Sequence, residues 1–310
     1  MHYFYSHGKL LLTSEYVVLD GALSLSLPTK KGQSLTIEAI SEPLIDWTSL
    51  DDEGNVWFEQ TFSMDQIISV SGLNHDNPRS IGKNILDTLI GLLGKAKSLN
   101  PSFLSQRHGF KVTTTLEFPR DWGLGSSSTL INNIADWAQL DAFELLESTF
   151  KGSGYDIACA RSNGPITYQL NGKKRITKEV SFQPIFSKNL FFVHLNKKQD
   201  SREGILSYRT KGKVHTGTIN ELSDITTQIL KCNSLSDFEN LLIRHESIIS
   251  NLIDEVPIKN RVFNDYNGAI KSLGAWGGDF ILATSRNDPS EYFQSKGFHT
   301  IIPYGEMILK

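Results

Sequence analysis

The chain has 310 residues, 39% hydrophobic and 21% charged, enough to bury a sizeable core and, at about 100–200 residues per domain, to make two domains. A net charge of −3 and a pI near 6.2 give no basic footprint of the kind that grips a phosphate backbone, so no nucleic-acid partner is expected. Cys159 and Cys232 are too few for a disulfide framework and too far apart for a zinc knuckle, which suits a reducing cytoplasm. The N-terminal letters lack a charged n-region and a long apolar run, and nowhere do about 18 apolar residues run together, so neither a signal peptide nor a membrane partner is expected.

In chain order, Leu23, Leu25 and Leu27 alternate with small residues as in a half-buried strand, and LTIEAI (35–40) and NVWFEQTF (55–62) continue the strand signal around a DDEGN turn. From Ser80, the residues Ile81, Ile85, Leu86, Leu89, Ile90 and Leu93 recur at helical spacing. GFKVTTTLEFP alternates as a strand that stops at Pro119. Leu130, Ile134, Trp137 and Ala138 then mark a helical face, AFELLESTF a second helix and YDIACARSNG a third, before strands PITYQL and NLFFVHLN. Three segments with apolar residues three and four apart follow, INELSDITTQILK, SDFENLLIRHESIISNLI and PIKNRVFNDYNGAIKSL, and DFILAT and HTIIPY close the chain as strands around a short helix at 291–296. The polar turn Asn171-Gly172-Lys173-Lys174 is the expected boundary, giving domains 1–172 and 173–310.

Between an extended segment and a helical one lies DWGLGSSSTL, residues 121–130. Glycines let a backbone turn close to a ligand, the first helical N–H groups have no intrahelical acceptor, and the helix dipole adds partial positive charge, so this order suits phosphate. Two familiar phosphate loops are excluded by the letters: one needs Lys before Ser, the other a third glycine where Ser128 stands. The plainer alternative is a surface turn with Ser126 as a helix cap.

Read with SHGKLLLTSEYVVLDGALSLSLP, GSGYDIACA and SLGAWGGDFILATS, the order resembles that of the GHMP kinases, the superfamily of galactokinase and of homoserine, mevalonate and phosphomevalonate kinases. The likeness runs over nearly the whole chain. It rests on His7-Gly8-Lys9 with Ser14-Glu15-Tyr16, on a full P-x-x-x-G-L-G-S-S match from Pro119 to Ser127, and on Gly274 to Asp279. It implies an α+β fold of two lobes, the first like the ribosomal-protein S5 second domain and ATP-binding, the second ferredoxin-like.

The resemblance also implies roles. Gly123, Leu124, Gly125, Ser126, Ser127 and Ser128 would hold the ATP phosphates, and Ser127 would ligate Mg²⁺ with Glu147, or Glu144 in reserve. Asp156 would lie against the acceptor hydroxyl and either take its proton or orient it, paired with Lys9. Glu15, Tyr16, Gly277 and Gly278 would border the substrate. Without the resemblance, Asp156 reads as a helix N-cap and the glutamates as a solvated helix face. Two positions depart from the family: His7 stands where Pro is usual, and Trp276, where a small residue is usual, would narrow the site or stack on something.

GSGYDIA and GGDF are more similar to the corresponding phosphomevalonate kinase stretches than to those of galactokinases. A small-molecule acceptor, mevalonate or 5-phosphomevalonate, is therefore expected, the latter served by Lys197, Lys198 and Arg202. Diphosphomevalonate decarboxylase, homoserine or sugar kinases and a non-catalytic nucleotide-binding relative are the alternatives. A cytoplasmic homodimer is the default expectation.

Overall fold

A computed structural model describes residues 1–71, 84–106, 108–150, 152–199 and 201–310, without the side chains of Ser201 and Arg202. Ser80 and Ile81, expected to open a helix, lie outside the described residues. In chain order the elements are β1 (His2–Leu11), β2 (Ser24–Ile40), β3 (Leu44–Leu50), β4 (Val56–Ser63), α1 (Met64–Ser71), α2 (Ile85–Leu99), β5 (Gly109–Leu116), α3 (Ser126–Trp137), α4 (Ala142–Thr149) and α5 (Tyr155–Ala160). There follow β6 (Ile166–Asn171), β7 (Lys174–Glu179), β8 (Leu190–His194), α6 (Ser201–Thr210), α7 (Thr216–Lys231), α8 (Leu235–Ile253), α9 (Ile258–Val262), β9 (Ile270–Ser272), β10 (Phe280–Thr284), α10 (Ser290–Ser295), β11 (Ile301–Pro303) and α11 (Tyr304–Met307). The expected α+β class is what the chain forms.

Two compact units share the chain: 1–8, 31–120 and 125–161 make the first, and 9–30, 121–124 and 162–310 the second. They are interleaved, unlike the sequential division expected at residue 172. Asn171 pairs with Lys174 across the tight turn of the β6–β7 hairpin, so the polar turn that reads as a linker joins two strands of one unit.

In the first unit the strand order is β4-β3-β5-β2, with β3 parallel to β5 and the other pairs antiparallel. β5 buries Phe110, Val112, Thr114 and Leu116 and turns Lys111 outward, the two-residue period its sequence carries. α2 begins at Asn84, whose side chain accepts the Asp87 N–H at 2.9 Å, a normal cap. Its apolar stripe, Leu89, Ile90, Leu92, Leu93 and Ala96, packs into a core with Trp47, Val112 and Ile134.

In the second unit the first residues of β2, Ser24–Ser26, pair with β6, and β6 pairs with β7. A separate antiparallel sheet has the order β11-β8-β10-β9. β8 lies between two neighbours and is buried at every residue, which accounts for its unbroken apolar sequence. The stretch expected as one helix over PIKNRVFNDYNGAIKSL is instead α9, a turn and β9. Asn264-Asp265 and Asn267-Gly268 are turn formers, and a Cβ on Gly268 would stand 2.1 Å from the Thr284 carbonyl oxygen. The apolar spacing there fills a core, with Phe263, Tyr266 and Ile270 around Phe293, without needing a helix. Among the described residues no helix is long and apolar enough to cross a membrane.

Leu93→Ala, which empties a fully buried site on α2, is expected to lower the unfolding free energy by about 2–5 kcal/mol. Urea titration followed by circular dichroism measures it as a lower midpoint at unchanged slope.

Candidate functional site

The glycine-serine stretch turns as its letters suggest. Gly123 and Gly125 both take left-handed backbone, φ +67° and +87°, and Gly125 is the N-cap of α3 without any side-chain cap. Ser126 is thus the first helical residue and not the cap. The Thr129 N–H bonds back to the Gly125 carbonyl at 3.1 Å, so the N–H groups of Ser126, Ser127 and Ser128 precede the helical ladder at the positive end of a 12-residue helix. The three hydroxyls are not equivalent. Ser128 donates to the Gly125 carbonyl at 2.8 Å and braces the turn, whereas Ser127 is exposed.

Besides the serines of α3, three candidate residues sit on helices of the first unit. α4 and α5 both pack on α3. Gly154, φ +84°, caps α5 without a side chain, so Asp156 lies in the first turn of α5 and is not its cap. Its Oδ1 accepts the Ile157 N–H at 3.1 Å. Asn132 of α3 donates from Nδ2 to the Ile157 carbonyl at 3.1 Å, and Ile157 is fully buried, which fixes the start of α5 against the helix that opens at the turn. Glu147 and Glu144 are exposed on α4, whose cap Asp141 accepts the Phe143 N–H at 2.9 Å.

Lys9, Glu15, Tyr16, Gly123, Leu124, Gly277 and Gly278 belong to the second unit. The Lys9 N–H donates to the Leu124 carbonyl at 2.9 Å, and Lys9 Nζ reaches the Gly123 carbonyl at 3.5 Å. The turn is held from behind as well: Trp122 meets Phe280 edge-on at 5.3 Å, and His194 Nε2 lies 3.2 Å from the Asp121 carbonyl. The third motif is a knot of left-handed residues, Gly274, Trp276, Gly277 and Asp279. Gly278 is required for another reason, since a Cβ there would stand 2.6 Å from the Lys197 carbonyl oxygen. Lys197 and Lys198 are exposed on that neighbouring loop; the side chain of Arg202 lies outside the described residues.

Glu15 and Tyr16, expected at the substrate, are buried. The Glu15 carboxylate is 1% exposed and accepts from the Lys271 ammonium, itself 0% exposed. Lys271 also donates to the Ser272 carbonyl at 2.9 Å, with Glu246 Oε2 3.8 Å away. Glu246 accepts from the Ser272 hydroxyl at 2.7 Å. His245 Nε2 accepts the Ser14 N–H at 2.7 Å, which leaves the ring neutral with its proton on Nδ1. Burial and the Lys271 charge hold its pKa well below the usual histidine value. Burial pushes the Glu15 carboxyl up to about 7, with Lys271 opposing, and burial raises Glu246 too.

Tyr16 stacks on Tyr208 with ring centroids 5.5 Å apart. Trp276, 5% exposed, packs into the same apolar cluster with Leu222 and Ile249. The indole therefore fills core space, and this departure from the family is a packing feature of the second unit.

Sequence reasoning gave no role to Asp279, Lys271, Glu246 or His245. A trace of three of them is visible in the letters: His245 and Glu246 occupy the Leu242–Ile249 face of α8 where apolar residues recur, and Lys271 follows Ala269 and Ile270.

No family model matches the chain and no curated protein matches it in sequence. Solved structures do match its fold. Methanococcus jannaschii mevalonate kinase aligns at TM-score 0.68 and 16% identity over 97% of this chain and 96% of its own. Streptococcus pneumoniae phosphomevalonate kinase, solved with phosphomevalonate and AMPPNP, aligns at 0.67 and 15% over 96% and 98%. Lactococcus lactis galactokinase, solved with galactose, aligns at 0.64 and 14% over 95% and 88%. The chain has the GHMP kinase fold.

The buried cluster has a pH signature. With a folded pKa raised above the unfolded value of 4.5, Glu15 binds more protons in the native state, so its contribution to stability is full below about 4.5 and is lost as pH rises through about 7. Unfolding free energies of wild type and Glu15→Gln, measured by urea titration at intervals from pH 4.5 to 7.5, are expected to differ in slope, wild type declining the more steeply.

Proposed function

We propose that the chain is an ATP-dependent kinase that passes the γ-phosphoryl group to a small mevalonate-type acceptor, mevalonate or 5-phosphomevalonate. The observation that carries this reading is the turn at 123–128: left-handed glycines deliver three N–H groups without helical acceptors at the head of α3, and Lys9 is bonded to the same turn through backbone and side chain. Such a cradle suits the phosphates of a nucleotide. The shared fold, and the nucleotide analogue in one of the solved kinases, support it.

Phosphoryl transfer asks mainly for positioning and for neutralising charge that spreads over the moving oxygens. The amides of Ser126, Ser127 and Ser128 would hold phosphate oxygens without reorganising, and the Lys9 ammonium would add positive charge at the same turn. The exposed Ser127 hydroxyl and the exposed Glu147 carboxylate are hard oxygen donors that fit Mg²⁺. When bound, that ion would neutralise phosphate charge. Asp156 would accept the proton of an acceptor hydroxyl; with a phosphate acceptor, already anionic, the same carboxylate would orient rather than deprotonate. Glu15, Tyr16, Gly277 and Gly278 would border the acceptor, Glu15 held by its pair with Lys271.

These nucleotide and acceptor residues fall within 1–172 and the third-motif glycines within 173–310, the functional division the proposal retains. It places the reaction in the cytoplasm, without nucleic-acid or membrane partners.

Purified protein with Mg-ATP is expected to release ADP when given mevalonate or 5-phosphomevalonate in a coupled assay. Asp156→Ala is expected to lower kcat by at least about 100-fold with its circular dichroism unchanged. Ser127→Ala is expected to raise the Mg²⁺ concentration needed for half-maximal rate. No turnover of either acceptor by the wild type, or full turnover by Asp156→Ala, would overturn the assignment.

A further inference from the structure

Asp279 closes the third motif, and the proposed reaction gives it no task. Its carboxylate lies directly on the glycine of the turn: a Cβ on Gly123 would be 2.2 Å from Asp279 Cγ and 2.4 and 2.5 Å from its two oxygens. The space a side chain would take at residue 123 is thus filled by a carboxylate from elsewhere in the same unit. Lys9 converges on the same place, with its N–H on the Leu124 carbonyl at 2.9 Å and its ammonium 3.5 Å from the Gly123 carbonyl.

The placement of Asp279 is built. Its N–H donates to the Lys197 carbonyl at 2.7 Å, its carbonyl accepts the Leu195 N–H at 2.8 Å, and its Oδ1 accepts the Gln199 N–H at 3.1 Å. These bonds hold a non-glycine residue at φ +53°, a conformation L-residues adopt only when their surroundings impose it. The residue is 9% exposed. An anion so placed beside a phosphate cradle would repel the ligand unless a cation answers it. Burial raises its pKa, while the Gln199 N–H and the charges of Lys9 and Lys198 favour its ionised form. Lys9 is also bonded to Gly123.

We infer that Asp279 is a positioning residue for Lys9: laid against Gly123, its carboxylate holds the lysine ammonium at the turn and sets where that charge stands. The arrangement at Gly123 is independent of the reaction; its catalytic consequence rests on the kinase reading.

The test uses the whole protein and Asp279→Asn, which keeps the shape and removes the charge. Competitive acetylation with trace acetic anhydride, read by mass spectrometry, gives the reactivity of Lys9 relative to exposed Lys173. Losing a neighbouring anion lowers an amine's pKa, and one unit is tenfold in free amine, so Lys9 is expected to acetylate about 3–10 times faster in the variant at fixed neutral pH. With acceptor and Mg-ATP, kcat is expected to fall at least about tenfold while KM for ATP stays within about threefold. If Asp279→Asn does not fold, Asp279→Gly, which suits the left-handed backbone, takes its place with the same expectations. Unchanged Lys9 reactivity in a folded variant would overturn the inference, as would an unchanged kcat in an enzyme that turns over. A wild type without turnover but with the expected labelling shift would leave the positioning role standing and remove the kinase reading instead.

Discussion

The second unit depends on a lysine that cannot reach water. Lys271 sits on β9 with no exposed surface, and its ammonium is answered by Glu15 directly and by Glu246 at 3.8 Å. Moving an unpaired charge out of water would cost several kcal/mol, and removing one partner of such a pair is correspondingly damaging. The pair therefore has a structural consequence beyond its own net energy. Glu15 follows the strand that carries Lys9, and Lys271 precedes the glycine-rich turn that ends at Asp279. Tying the two together fixes, within one unit, the segments that approach Gly123 and Leu124.

That tie also explains residues that would otherwise be out of place. Ser14, Tyr16 and Trp276 all have left-handed backbone, at about 1–2 kcal/mol each for a residue with a Cβ. Trp276 stands where the resembled family usually has a small residue. Here each is compensated locally. The Ser14 N–H and hydroxyl are bonded to His245 and the Leu23 carbonyl, both at 2.7 Å, and Tyr16 and Trp276 bury their rings in one apolar cluster.

The parts of this architecture governed by local rules were legible in the letters. The apolar stripe of α2, the alternation of β5 and the glycine-serine turn ahead of α3 are each written within a dozen residues. What was not legible depends on partners far along the chain. β7, KRITKE, is an edge strand with no buried residue, so it carries no apolar period. β3, LIDWTSL, does alternate and buries Ile45, Trp47 and Ser49, but acidic and proline-flanked surroundings masked it. The stretch from Ile258 to Leu273 satisfies helical spacing and becomes turn and strand because Gly268 abuts the Thr284 backbone. In the same way, nothing near Glu15 in sequence announces Lys271, which is 256 positions away.

The two compact units exchange the chain at 8/9, 30/31, 120/121, 124/125 and 161/162, and the last exchange has a biosynthetic side. Leu309 donates its N–H to the Pro28 carbonyl at 2.9 Å, and Ile308 bridges Thr29. Residues made among the first thirty thus wait for residues made some 280 positions later. At about 5–20 residues per second, that wait spans tens of seconds on a ribosome, during which Pro28 and Thr29 lack the backbone partners they have in the finished fold. Strand β2 of a nascent chain of this layout stays short of these backbone partners until synthesis is complete.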